Sequence, residues 1–115
     1  MYKNRIIKFR AWDKTNKAWI YSSHQSGLTW FFDMLETGGF DYKLQQFTGL
    51  LDSKGKEIYE GDILKIYIEK DLQNNSYIVK NMLDFYFDCH REDHYLRISQ
   101  KEIIGNIFEN PELLK

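Results

Sequence analysis

The chain has a single cysteine, Cys89, among its 115 residues. No intrachain disulfide can form, which fits a reducing compartment. No apolar run approaches the roughly 18 residues that a membrane-spanning helix requires. The opening stretch MYKNRIIKFRAW has no apolar core followed by a small-residue cleavage site, so it does not read as a secretory signal. Together these shortages predict a cytoplasmic protein with no membrane partner. Charge of one sign is also missing: 16 Lys and Arg stand against 17 Asp and Glu, for a net charge of −1. The chain as a whole therefore offers no general attraction to phosphates.

Motifs for chemistry are equally sparse. GLLDSKGK lacks the spacing of a phosphate-binding loop, because Lys56 is followed by Glu57 rather than Ser or Thr. It reads as a turn with Gly55 in a left-handed conformation. The one cluster of ligand-type side chains is CHREDH, with Cys89, His90 and His94. The two histidines share a face only on a helix, which the surrounding strand-like pattern does not favour, and a fourth ligand is missing. Cys89 and His90, adjacent on a strand, point to opposite faces and make a poor nucleophile–base pair. Glu57, Glu60 and Asp62 crowd one turn and read as turn stabilisers rather than acid–base groups. No nucleophile, base and stabiliser assemble, so the expectation is no enzyme, no catalytic residue, no metal and no cofactor.

Aromatic residues, by contrast, are abundant: 17% of the chain, from 8 Tyr, 8 Phe and 3 Trp. Aromatics suit strands and interfaces. With 43% hydrophobic and 29% charged residues the composition is that of a globular domain. Alternation in NRIIKFRAWD predicts a first strand with a dry face (Ile7, Phe9, Ala11) and a mixed face (Ile6, Lys8, Arg10, Trp12). DKTNK reads as a turn and AWIYS as the returning strand of a hairpin. LTWFFDMLE fits either a short helix or an aromatic strand. LQQFTGLL is a short strand, and EIYEGDILKIYIEK is expected to carry the longest one. Within it Gly61 supplies a special backbone angle and Asp62 binds neighbouring amides. DLQNNS predicts a hairpin turn with positive φ at Asn74 and Asn75. YIVKNMLDFYFD is expected as the partner strand, and YLRIS and EIIGNIF as two final strands. ENPELLK closes the chain as a helical turn, with Asn110 as N-cap, Pro111 at its first position and Leu113 and Leu114 docked.

The expected fold is therefore mainly β. A small SH3-like or related β-barrel occupies residues 46–115, preceded over residues 1–45 by a β-hairpin and an irregular or short helical excursion, the two forming one structural unit. Lys3, Arg5, Lys8, Arg10, Lys14 and Lys17 make the first segment basic, with Asp13 as its only acid. Beside aromatics, such a strand is a candidate for single-stranded nucleic acid. Arg10, Trp12, Trp19 and Tyr21 form the leading candidate binding or interface surface, with Tyr67 as a further contact. A protein contact is favoured over nucleic acid there, because apolar patches on soluble proteins mark protein contacts.

Three blocks, IKFRAWD, QFTGL.D..GKEIYEGDI and EIIGNIFENPELL, in this order and spacing, resemble the YopX family of phage and prophage proteins. The resemblance implies a small protein of the host-cell cytoplasm that assembles into a higher-order homo-oligomer. It implies no particular activity. Apolar residues on both faces of the strands point the same way, because a monomer leaves one set exposed. The expected function is thus a non-enzymatic phage accessory protein that forms a homo-oligomer larger than a dimer, with Trp12 or Tyr67 near a subunit contact, and binds a host or phage protein partner. The alternative is a single-stranded nucleic-acid or DNA-associated module.

Overall fold

A computed structural model describes residues 7–22, 31–33, 35–36, 42–93 and 95–114. The fold is mainly β, with a curled sheet of the half-barrel kind. Strands β1 (Phe9–Asp13) and β2 (Ala18–Tyr21) form the expected hairpin, with Trp12 opposite Trp19. Asp13 closes its turn by accepting from the Thr15 and Asn16 amides at 3.0 and 3.1 Å. β1 also pairs antiparallel with β3 (Tyr42–Leu51), and β3 with β4 (Glu57–Tyr59), giving the sheet order β2-β1-β3-β4. Position 45, where the sequence suggested a boundary, falls inside β3. The hairpin therefore hydrogen-bonds directly to a strand shared by both segments.

The second sheet is built on β5 (Asp62–Ile68). One side of β5 pairs with β6 (Asp71–Leu72) and β7 (Tyr77–Ile78), and β8 (Ile98–Asn106) also pairs with it. Asp52 ties the two sheets together. Its carboxylate accepts from the Lys54 and Lys56 amides at 2.9 Å within the β3–β4 turn, and from the Ile103 amide of β8 at 3.1 Å. Ile58, Leu64, Ile66, Val79, Phe85 and Ile98 form the core, with Cys89 packed against it.

Several expectations need correction. The stretch YIVKNMLDFYFD is not one partner strand: after the two residues of β7 it becomes helix α1 (Met82–His90). Asn81 caps the helix, its side chain accepting from the Asp84 amide at 2.8 Å, and the Glu60 carboxylate accepts from the Met82 amide at 3.1 Å. Both contacts satisfy amides that a helix start leaves open. Apolar residues there are dense enough to mimic alternation, while the Asn81–Asp84 spacing carries the helix signal. YLRIS and EIIGNIF do not form two strands but contribute to the single strand β8, which absorbs register shifts against β5. The longest strand is β3, with ten residues, because Gly61 separates β4 from β5. The positive φ in the hairpin after β5 belongs to Glu69, at 56°, where only two residues separate the paired Ile68 and Asp71, and not to Asn74 or Asn75. Both faces of β1 are buried, with Ala11 on one and Arg10 and Trp12 on the other. Residues 31–33 and 35–36 are helical, and Phe31 is buried. At the end of the chain Pro111–Leu114 forms a 3-10 turn. There the Asn110 side chain accepts from the Asn106 amide at 3.1 Å, and Leu113 and Leu114 remain partly exposed.

Candidate functional site

The three sequence blocks converge at the junction of the two sheets. Arg10 enters from β1, Gln45 from β3, Asp62 from the start of β5 and Asn106 from the end of β8, and all four are buried. Arg10 Nη2 donates to Asp62 Oδ1 at 2.6 Å, and Arg10 Nε donates to Gln45 Oε1 at 3.1 Å. Asn106 Nδ2 donates to Asp62 Oδ1 at 2.9 Å and to Gln45 Oε1 at 3.1 Å, while Gln45 Nε2 donates back to Asn106 Oδ1 at 3.3 Å. The other Asp62 oxygen accepts from the Tyr59 amide at 2.8 Å. A buried ion pair is stable only when its remaining hydrogen-bonding capacity is met, and these amides meet most of it.

Aromatic rings enclose the cation. The Arg10 guanidinium lies 3.8 Å from the Trp19 ring centroid and 4.3 Å from that of Tyr59. Trp12 packs on Trp19 at 5.0 Å, and Tyr21 meets Tyr59 edge-on at 6.2 Å. Lys8 pairs with Glu57, whose second oxygen accepts from the Tyr59 hydroxyl at 3.2 Å. Burial first, then the Glu57 charge, pushes the Tyr59 hydroxyl well above the usual phenol range, so it holds its proton. Gly61, with φ +91°, makes room for this cluster: a Cβ there would lie 2.1 Å from Gln45 Nε2. Gly55, with φ +84°, has open space around it.

Above the cluster lies a cleft of about 490 Å³, walled by Trp19, Tyr21, Ile103 and Gly105, with Lys56, Glu57 and Glu109 among its lining. Trp19 Nε1 donates to Glu109 Oε1 at 3.1 Å. Of the surface expected from the sequence, Trp19 and Tyr21 therefore face the cleft. Arg10 forms part of its floor and Trp12 is buried behind Trp19. Tyr67 is not brought to this site, since it lies toward the far end of β5 opposite Gln100 and Leu72. Gln45 and Asn106 were not singled out in the sequence. Neutral amides carry no signal of their own, and their only flag is the position of Asn106 inside the last block.

Of the metal candidates, Cys89 and His90 lie outside this cluster. They end α1, and His94 lies outside the described residues. Among the described residues no three His, Cys, Asp or Glu side chains are grouped to hold a metal. Burial pushes the Cys89 thiol up to about 11, so it is a thiol rather than a thiolate at neutral pH.

Residues 8–115 match the family described as YopX protein. No curated protein matches the sequence. The fold resembles a crystal structure of protein EF1440 from Enterococcus faecalis, with a TM-score of 0.52 and 22% identity, covering 97% of this chain and 100% of that one. At this identity the likeness concerns the fold alone.

Proposed function

The chain belongs to the YopX family, and from that premise we propose that it is a non-enzymatic phage or prophage accessory protein that assembles with copies of itself and holds a protein partner. The observation that carries this reading is the surface of α1. Leu83, Tyr86 and Phe87 are 73%, 50% and 59% exposed on one short helix, whose only buried residue is Phe85. Large apolar side chains clustered in this way are a feature of contact surfaces. The polar cluster at the sheet junction supports the non-enzymatic part, since Asp62 and Arg10 hold each other rather than a reacting group. The cleft walled by Trp19 and Tyr21 is the proposed seat for a side chain of the partner.

The nucleic-acid alternative draws less support. Two cations of the basic segment, Arg10 and Lys8, are committed to Asp62 and Glu57. A pull-down from prophage-induced host cells tests the partner. The expected result is a retained protein that is lost on Trp19→Ala, Tyr21→Ala. Recovery of nucleic acid in a salt-sensitive manner, with no such protein, contradicts the proposal.

A further inference from the structure

We propose that the exposed stripe of α1 is a twofold contact with a second copy of this chain, in which the two helices pack antiparallel and Asp84 of each meets Arg91 of the other. This inference rests on the self-assembly reading and assigns it a surface and a geometry. Leu83, Tyr86, Phe87 and His90 recur at i, i+3, i+4 and i+7, which places them on one helical face. That face is turned away from the core, toward which Phe85 and Cys89 anchor the helix. Tyr86 and His90 stack at 4.1 Å, giving the stripe a flat shoulder.

Charge chooses the occupant. Arg91 follows the helix directly, and its guanidinium lies 5.2 Å over the Phe87 ring. Its Nε is buried with no hydrogen-bond partner, and the distance from Nη1 to Asp88 is 3.9 Å, too long for a hydrogen bond. This guanidinium at the edge of an apolar stripe is thus held only by a loose ion pair with Asp88. Asp84 is exposed and lies seven positions before Arg91, close to two helical turns, so both sit on the same flank of the stripe.

A twofold axis perpendicular to two antiparallel helices keeps that flank on the same side in both copies. With the axis near Phe87, Asp84 of one copy falls beside Arg91 of the other, and the pair forms twice. Leu83 then meets the aromatic end of the opposite stripe. A parallel twofold arrangement carries the two flanks to opposite sides of the seam and forms no such pair. Three side chains so exposed offer on the order of 300 Å² of apolar surface. That is a small contact, suited to one of several interfaces in an assembly larger than a dimer.

The test is light scattering on the full chain at matched concentration, with circular dichroism as the folding control. Asp84→Arg and Arg91→Asp should each lower the mass at least twofold, and the double exchange should restore it. In a Cys89→Ser background, Phe87→Cys should cross-link pairs of chains on mild oxidation, which reads the geometry even where a charge variant folds poorly. An assembled wild type whose mass is indifferent to the exchanges, or whose Phe87→Cys form gives no cross-linked pair, overturns this contact and leaves self-assembly standing. A monomeric wild type overturns both.

Discussion

A methyl group added at Gly61 would lie 2.1 Å from Gln45 Nε2 and 2.9 Å from Gln45 Cδ, on a backbone with φ +91°. Strain and overlap act together, so Gly61→Ala should cost roughly 2–4 kcal/mol in denaturant unfolding. An unchanged midpoint would show that Gln45 does not hold its place. Arg10→Met leaves the Asp62 carboxylate buried beside Asn106 without its cation, and should cost about 3–5 kcal/mol. Asp52 behaves differently because its partners are mainly backbone amides. Burial raises its pKa, but the Ile103, Lys56 and Lys54 amides outweigh that and hold the carboxyl below its ordinary 3.8. A depressed folded-state value means that Asp52 contributes its full stability above pH 3.8 and loses it as pH falls through the folded value. Asp52→Asn should therefore be destabilised at neutral pH by about 1–3 kcal/mol, with the gap to wild type narrowing in acid. A gap constant from pH 7 to pH 2 would remove the amide cradle from the account. At this scale Gly61 and Asp62 were legible, because glycine followed by aspartate names a backbone need. Gln45 and Asn106 were not, since they lie 61 residues apart and nothing in a neutral amide predicts its partner.

Elements were legible where one period dominated. The β1–β2 hairpin could be read from its alternation and its Asp13 turn, which the Asn16 side chain and nearby amides stabilise while holding Asp13 below the usual carboxylate range. The region after β7 was misread because LDFYFD satisfies two periods at once. As a strand it alternates. As a helix it buries Phe85 and leaves Leu83, Tyr86 and Phe87 outside, the reverse of what core-directed patterning expects. The capping side chain of Asn81 decides the matter locally. Asn81→Ala should weaken the protein by about 1 kcal/mol and reduce protection of the α1 amides in hydrogen exchange. Unchanged protection would mean that packing of Phe85 alone sets the helix.

At the scale of the molecule, the two sheets share one junction, and each of the three sequence blocks sends a residue to it. Arg10, Asp62 and Asn106 reach it from strands far apart in the chain. The blocks thus describe how this fold is fastened, and the solvent-facing features lie partly elsewhere, on α1 and at the mouth of the cleft. That separation explains why the family and the mainly β fold could be read from the sequence while the exposed stripe on α1 could not. Trp12, expected near a subunit contact, is buried within its own chain, whereas the exposed apolar stripe sits in a segment read as a strand. The most direct measurement is the sedimentation-equilibrium mass of the wild-type protein across a hundredfold range of concentration. The account predicts a defined species heavier than two chains of 13.9 kDa; a mass that stays at one chain throughout the range would contradict it.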